Sequence, residues 1–211
     1  EDIVLGDRIA EACSRESFVL YTLKTIDKES KKATVNLWLH NGNDNGLTQL
    51  TRGNEGVSNP VLGVNLPGAD SQALYLKGGQ IWTIPLDGGE SAPVTKFEFG
   101  IDTFKVFSGP EDKVFLACTI GVYPDKSPAE TVAADTAKEE EGSGMVFDQL
   151  MVRHWDTWNC YEKRNHVFVS ELGISNSGLL ELPVDNSKHQ LLDLMAGLHT
   201  DCPSKPFGGA E

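Results

Sequence analysis

The chain of 211 residues contains no long hydrophobic run, since no stretch of about 18 consecutive apolar residues occurs in it. We therefore expect no helix that crosses a membrane and no membrane partner. Positive charge is also scarce, with 18 Lys and Arg residues against 31 Asp and Glu residues and a formal net charge of −13. Because phosphate binding needs clustered Lys and Arg, no nucleic-acid partner is predicted.

Close pairs of cysteines are absent as well. The 4 cysteines stand far apart in the sequence, without the spacing of a zinc site or a redox motif: Cys13, Cys118, Cys160 and Cys202. We expect free buried thiols, with one or two disulfides as the alternative in a secreted protein. The acidic start EDIVLG lacks the basic and apolar regions of a signal peptide, so either the protein stays inside the cell or its leader is absent from this chain. Both a secreted and a cytoplasmic location stay open.

What the sequence does contain is an internal repeat. NLWLHNGNDNGLTQLT (36–51) and QIWTIPLDGGESAPVT (80–95) both read as an alternating strand around a tryptophan, a Gly-rich turn and an apolar-Thr ending. Residues match in pairs at one common spacing: Trp38 with Trp82, Leu50 with Val94, and Thr51 with Thr95. Several matches at one spacing without a gap indicate a true repeat.

A polar turn followed by an apolar strand belongs to each repeat. These segments are SRESFVLYTLKTI (14–26), PGADSQALYLKG (67–78) and GPEDKVFLACTIGVY (109–123). Together the parts give about four short strands per repeat of roughly 40 to 45 residues, which is the size of a β-propeller blade. We predict an all-β fold of propeller blades, each a four-stranded antiparallel sheet. Since a blade cannot bury both faces alone, Trp38 and Trp82 are predicted to pack between blades.

A third and looser copy lies at 166–195, separated from its turn-strand partner by an insertion at about 124–165. The acidic segment 129–144 of this insertion lacks large apolar side chains, which predicts a solvated surface segment. The predicted organisation is a partial propeller of about three blades plus the insertion. Its blade-like units lie at about 14–51, 57–95 and 102–195.

The insertion also contains the stretch MVRHWDTW (151–158), which reads like an active site. Its candidate residues are Arg153, His154, Trp155, Asp156 and Trp158. No catalytic residue is predicted among them, because the nearest hydroxyl, on Thr157, adjoins Asp156 without a separately positioned base. Alternation along a strand would also direct Arg153 to the face opposite His154 and Asp156, which disfavours a triad of these three residues. No metal and no cofactor are predicted, since His154 and Asp156 supply only two ligands.

At these motifs the chain resembles a known family. QIWTIPLDGGE with its apolar-Thr ending is similar to the repeat in the N-terminal propellers of the prolyl oligopeptidase family of serine peptidases, and to TolB-type propellers. DQLMVRHWDTW, KRNHVFV and CPSKPFGG together resemble the dipeptidyl peptidase V and acylaminoacyl-peptidase-like branch of that family. The resemblance covers roughly residues 14–209. The turns SRES, PGAD and GPED depart from the family's usual Ser-Pro-Asp-Gly turn, which indicates a divergent member.

The resemblance implies a Ser-Asp-His triad on a C-terminal α/β-hydrolase domain, with the serine in a Gly-x-Ser-x-Gly turn. This turn does not occur in the chain, so we expect the catalytic domain to lie outside it and the chain alone to be inactive. The implied function is that of a noncatalytic propeller portion that gates substrate access and shapes specificity in a peptidase for short peptides. Its implied partners are the hydrolase domain and the peptide substrate, and association between copies stays open because an incomplete propeller exposes an apolar face.

Alternatives remain for both the stretch and the whole chain. In MVRHWDTW, Asp156 could pair with Arg153 or Arg164 while the tryptophans fill a space between blades. The stretch could instead face the peptidase domain or the substrate. It could also act in catalysis by itself, or bind a metal with His166 as a further ligand. For the whole chain, the alternative is a TolB-like propeller that acts as a protein-binding module without enzymatic activity.

Overall fold

The computed structural model describes residues 8–27, 29–43, 46–63, 71–142, 153–154, 157–158, 162–176, 179–182 and 191–202. The first sheet consists of β1 (Arg8–Arg15), β2 (Phe18–Ile26), β3 (Ala33–Asn41) and β4 (Gly46–Gln49). The second consists of β5 (Val57–Leu62), β6 (Gln72–Lys77), β7 (Gln80–Pro85) and β8 (Ala92–Pro93). Within each sheet, consecutive strands pair antiparallel in chain order.

The third sheet is interrupted by the insertion. It begins with β9 (Thr103–Ser108), a 3-10 turn (Pro110–Asp112) and β10 (Val114–Val122). The connection that follows contains helix α1 (Pro128–Glu141) and a small two-stranded sheet, β11 (Arg153–His154) with β12 (Thr157–Trp158). The sheet then continues with β13 (Arg164–Ile174), β14 (Leu180–Glu181) and β15 (Leu192–Asp193). Since β14 and β15 both pair with β13, this sheet is also four strands across.

The second sheet is covered on both faces because its strands carry apolar residues at consecutive positions. Ala73 and Tyr75 of β6 pack toward the first sheet, in a cluster that contains Leu37. Their neighbours Leu74 and Leu76 point to the opposite face and pack toward the third sheet. Face-to-face stacking of sheets in this manner is what propeller blades require. The predicted fold of four-stranded antiparallel blades is confirmed, with helix α1 as an addition.

The first two sheets end with the same hydrogen-bonded closure, at positions related by the repeat spacing. Leu37 N donates to Thr51 Oγ1 at 2.8 Å, and Ile81 N donates to Thr95 Oγ1 at 2.9 Å. Each threonine hydroxyl in turn donates to the side-chain amide oxygen of the residue that precedes Leu37 or Ile81. The repeat read from the sequence is therefore present in individual hydrogen bonds.

Asn59 of β5 links the first strands of all three sheets. Its Nδ2 donates to Phe104 O of β9 at 3.0 Å, and its Oδ1 accepts from Phe104 N at 3.3 Å. Its backbone N donates to the Glu11 carboxylate of β1. The residue adopts φ 53°, in the left-handed region that asparagine tolerates better than most residues. The sheets thus converge at their first strands, as blades do around a central axis.

Helix α1 forms in the acidic part of the insertion, where the sequence predicted only a solvated segment. Ser127 Oγ accepts from Glu130 N at 3.3 Å, and the Glu130 carboxylate accepts from Ser127 N at 2.8 Å. This capping box is followed by Pro128 at the first helical position. Thr131 is buried against the third sheet, where its Oγ1 accepts from Tyr123 N at 3.2 Å. The remaining helix surface is largely exposed, as the composition indicated.

Candidate functional site

The connections of the three sheets gather the insertion and the cavities at one end of the molecule. In an antiparallel sheet, successive connections alternate between the two ends. The connections β2–β3 (27–32), β6–β7 (78–79) and β10–β13 (123–163) therefore share one end, which we call the insertion end. Ile101 N donates to Gly79 O at 2.8 Å, so the loop before β9 lies there too. This end combines the longest insertion with irregular loops, the segments of a fold on which binding groups most often lie.

A cavity of about 650 Å³ opens at the insertion end. Its walls come from the loop before β9, from residues 124–129 and from residues 191–197. The rings of Phe97 and Phe99 stack in it with centroids 4.6 Å apart. Three charged side chains, Asp125, Lys126 and Asp193, also line it. A volume in the range of about 300–1,000 Å³ with aromatic walls and a few polar groups is typical of ligand pockets.

A smaller cavity of about 340 Å³ lies between α1 and the third sheet and shares Phe99 and Pro128 with the larger one. Its charged lining residues are Glu98, Asp135, Glu139 and Lys163. The excess of carboxylates in the lining gives this cavity a negative potential, which disfavours an anionic ligand.

A polar cluster around Tyr123 fixes α1 to the sheet beside this cavity. The Tyr123 hydroxyl donates to Asp135 Oδ1 at 3.1 Å, and Lys163 forms an ion pair with the same carboxylate. Lys138 pairs with Glu162, which raises the pKa of that lysine, and its Nζ lies 4.9 Å from the centroid of the Tyr123 ring. Burial raises the pKa of the Tyr123 hydroxyl. Because these groups are engaged with one another, we assign the cluster to helix docking rather than to chemistry.

His166 is the buried imidazole of the third sheet. Its side chain is 0% exposed, with Nδ1 2.9 Å from Asp193 Oδ2 and Nε2 2.9 Å from Leu198 O. Asp193 Oδ1 also accepts from Met195 N at 2.8 Å. The sequence left open that His166 is a metal ligand, but both of its nitrogens are engaged by protein acceptors. Within the described ranges, no group of three or more His, Cys, Asp or Glu side chains could hold a metal ion.

The stretch MVRHWDTW does not form a single strand. Arg153 pairs with Trp158 and His154 pairs with Thr157, so β11 and β12 run antiparallel. The expectation that alternation along a strand separates Arg153 from His154 and Asp156 stays a prediction. Trp155 and Asp156 lie outside the described residues. Arg164, the other cation considered for Asp156, donates to His199 O at 3.3 Å and lies 3.9 Å from Asp201 Oδ2.

The two repeat tryptophans occupy equivalent positions with different surroundings. Trp82 packs into the cluster between the first and second sheets, where its buried Nε1 has no hydrogen-bond partner among the described residues. Trp38 is half-buried on the opposite face of the first sheet from Leu37, and no sheet among the described strands packs on that face. Tyr21 pairs with Trp38 as Tyr75 pairs with Trp82. The packing role of Trp38 stays a prediction that concerns a neighbour outside the described residues.

No activated nucleophile is found among the described cysteines. Cys13, Cys118 and Cys202 are free thiols, and Cys160 lies outside the described residues. Cys118 is buried as expected, but Cys13 and Cys202 are only half-buried. Burial raises the pKa of Cys118 to about 12, and burial also raises the pKa of Cys13. A raised pKa keeps a thiol protonated and unreactive at neutral pH.

None of the described helices has the length and apolar character that a membrane span requires.

Comparison with known proteins gives partial matches to peptidases. No protein-family model matches the chain. It is similar to dipeptidyl-peptidase 5 of Schizosaccharomyces pombe, with 38% identity over 66 residues, which are 30% of this chain and 9% of that protein. It is also similar to dipeptidyl-peptidase 4 of Giardia intestinalis, with 27% identity over 110 residues, which are 47% of this chain and 14% of that protein.

The fold matches solved structures of acylaminoacyl peptidase. The enzyme from Pyrococcus horikoshii superimposes with a TM-score of 0.53 and 12% identity, over 83% of this chain and 24% of that one. An acylaminoacyl peptidase in complex with Z-Gly-Gly-Phe-chloromethyl ketone gives a TM-score of 0.52 and 12% identity, over 82% of this chain and 24% of that one. The chain thus spans a quarter or less of each relative. Together, the sequence matches and the shared propeller-region fold confirm the predicted resemblance to the prolyl oligopeptidase family, in its dipeptidyl-peptidase and acylaminoacyl-peptidase branch.

Proposed function

We propose that the chain is the noncatalytic propeller portion of a serine peptidase that acts on short peptides, where it gates substrate access and shapes specificity. The observation that carries this proposal is that both sequence relatives are dipeptidyl-peptidases, while the fold is that of a peptidase propeller region. The chain has no Gly-x-Ser-x-Gly turn, so the triad belongs to a C-terminal α/β-hydrolase domain of the same protein.

The outer faces of the stack support a role inside a larger protein. On the first sheet, Tyr21 and Trp38 repeat the Tyr75–Trp82 pair that the second sheet buries against its neighbour. A face built like a buried one is suited to another blade. The partner that fits it is therefore the remainder of the same protein, in keeping with relatives several times longer than this chain.

The insertion end supports a role in selecting substrates. We assign Arg153, His154, Trp155, Asp156 and Trp158 to a substrate-side or interdomain position, since they belong to the connection that interrupts the third blade. The larger cavity at this end offers aromatic walls to an apolar side chain of a peptide. The net charge of −13 adds a field that favours the positively charged amino terminus of a short peptide.

The proposal is tested on the intact native protein that carries this chain. We expect a fluorophosphonate probe, which labels activated serines, to react with the intact protein and not with residues 1–211 alone. Arg153→Ala and Asp156→Ala should each lower kcat/KM for dipeptidyl substrates by about tenfold, which corresponds to the loss of one contact of about 1.4 kcal/mol. Turnover of a small activated ester should be unchanged, because the acylation chemistry lies in the other domain.

Matched controls come from exposed positions away from the insertion. Arg52→Ala and Asp87→Ala remove the same side chains from exposed sites and should leave both substrates unaffected. Loss of ester turnover in a folded Asp156→Ala protein would assign the stretch to catalysis. An intact protein that the probe does not label would overturn the peptidase proposal in favour of the protein-binding module.

A further inference from the structure

We propose that His166 and Asp193 form a charge-dependent latch, which holds the segment 191–202 against β13 and opens when the imidazole loses its proton. The latch does not depend on the peptidase assignment, because it rests on contacts inside the third sheet and the segment that follows it.

Both ring nitrogens of His166 face hydrogen-bond acceptors. His166 Nδ1 lies 2.9 Å from a carboxylate oxygen of Asp193, and Nε2 lies 2.9 Å from the carbonyl oxygen of Leu198. Both partners only accept hydrogen bonds, whereas a neutral imidazole has one donor nitrogen and one acceptor nitrogen. Only the imidazolium ion satisfies both contacts at once. Since the ring is 0% exposed, water cannot replace a contact that is lost.

The His166 ring holds a loop of the segment 191–202. The pairing of β15 with β13 fixes the start of the segment 191–202, and bonds from Asn165 N to Asp201 Oδ1 at 2.8 Å and from Arg164 Nε to His199 O at 3.3 Å hold its end. Two backbone bonds, Leu194 N to Val167 O and Cys202 N to Asn165 O, each at 2.9 Å, also join it to β13. Far more residues separate these points on the segment than on β13, so the segment loops away from the strand between them. Within this loop, the bond from the His166 ring to Leu198 O ties the chain back to the sheet.

This loop lies at the larger cavity. Leu191, Asp193, Ala196 and Gly197 form one wall of the larger cavity. Gly197 N donates to Pro124 O at 3.3 Å, so the same loop touches the opposite wall. Release of Leu198 from the ring therefore loosens a wall of the cavity and alters the space that it offers to a ligand.

Other charged groups around the ring do not replace Asp193. On the neighbouring strand β10, Ile120 pairs with His166, and the nearby Cys118 thiol is kept protonated by burial. The facing strands of the second sheet contribute aliphatic side chains and the uncharged polar side chains of Gln72 and Thr83. The remaining titratable and charged groups nearby are Arg164 on β13, His199 and Asp201 on the loop, and Asp125 and Lys126 at the cavity. Arg164 and Asp201 lie 3.9 Å apart as a pair of their own.

The sign of the pH dependence follows from the charge that the latch requires. The latch is complete where the imidazole carries its proton, and it is lost at a pH high enough to remove that proton. We expect hydrogen–deuterium exchange of the 211-residue chain to show this when about pH 5.5 is compared with about pH 8.5, because histidine is the side chain that changes charge near neutral pH. Protection factors of the Leu194, Gly197, Leu198 and Cys202 amides, corrected for the intrinsic effect of pH, should fall about tenfold at the higher pH. Amides of β6 and β7 serve as the internal control and should not change.

Asp193→Asn is the decisive variant. Its Oδ1 can still accept from Met195 N, while its Nδ2 donates to Nδ1 of a neutral ring whose Nε2 donates to Leu198 O. This arrangement needs no charge, so we expect the loop to stay protected at both pH values. Equal loop protection of the native chain at both pH values would overturn the latch, and so would a pH dependence that Asp193→Asn retains. If the variant does not fold, nitrogen NMR of the native His166 ring decides, since the latch requires both nitrogens to carry protons while the loop is protected.

Discussion

At the scale of single residues, a threonine hydroxyl closes each of the first two blades. Thr95 Oγ1 accepts from Ile81 N and donates to Gln80 Oε1 at 3.0 Å, and Thr51 makes the same contacts one repeat earlier. The Gln80 side chain continues the network, since its Oε1 accepts from Phe97 N at 2.9 Å and its Nε2 donates to Phe99 O at 2.9 Å. One buried hydroxyl therefore supports the loop that carries the stacked phenylalanines of the larger cavity.

We predict that Thr95→Val destabilises the chain by about 1–3 kcal/mol, because the substitution keeps the shape of the side chain but leaves the buried Ile81 N–H without its acceptor. The measurement is the free energy of unfolding from denaturant titration. Thr48→Val makes the same chemical change on the exposed strand β4 and should stay within about 0.5 kcal/mol of the native chain. Equal effects of the two substitutions would show that the repeated closure adds no stability.

At the scale of elements, the cap of α1 responds to acid in a defined direction. Hydrogen bonds from the Ser127 side chain, and then from the Ser127 backbone, lower the pKa of Glu130. A lowered pKa in the folded state means that the cap stabilises the helix above the ordinary pKa of the carboxyl, about 4.3, and that this contribution is lost as the pH falls through the folded value. Acid should therefore loosen the first turn of α1.

We predict that amide exchange in the first turn of α1 accelerates on acidification below about pH 4, relative to the intrinsic rate. Glu130→Gln is the matched variant, because glutamine can accept the same hydrogen bond from Ser127 N without a group that titrates. Its first turn should show no acid dependence, whereas Ser127→Ala should weaken the turn at every pH. Identical acid profiles for the native chain and Glu130→Gln would refute the role of this carboxylate.

The elements also show how far the sequence predicts the fold. The strands with strong alternation or wholly apolar runs, such as β2, β6 and β10, were readable because they are buried on at least one face. β1 (Arg8–Arg15) was missed, since it is largely exposed and carries little apolar pattern. Helix α1 was missed although Ser127 and Glu130, three residues apart, carry the signal of a capping box just before it.

The candidate site was less predictable than the fold because its parts meet only in three dimensions. The pairing of β11 with β12 inside MVRHWDTW is not announced by any glycine or proline in that stretch. His166 and Asp193 are far apart in sequence, and their contact depends on the register of β15 against β13. Phe97 and Phe99 lie in a loop without a repeat partner, so nothing in the pattern indicated that they line a cavity.

At the scale of the whole molecule, the second sheet differs from the other two because described sheets cover both of its faces. Among the described residues, the exposed large apolar side chains lie in the first sheet, in the third sheet or in the segment after it. Leu47 is 58% exposed on the same face as Trp38, and Leu192 is 62% exposed on the outer face of the third sheet. The two faces differ in shape and composition, so copies of the chain would meet head to tail rather than through like faces.

We predict that the 211-residue chain on its own associates in a concentration-dependent manner through these two faces. Sedimentation velocity over a range of concentrations measures the association, for which an interface of about 800 Å² per partner is typical. Leu47→Lys on one face and Leu192→Lys on the other should each weaken the association by at least about tenfold, which is about 1.4 kcal/mol. Thr136→Lys adds the same charge on the exposed surface of α1 and should have no such effect. If the chain stays monomeric at high concentration, the outer faces are stable in water without a neighbour, and no further blade is needed to cover them.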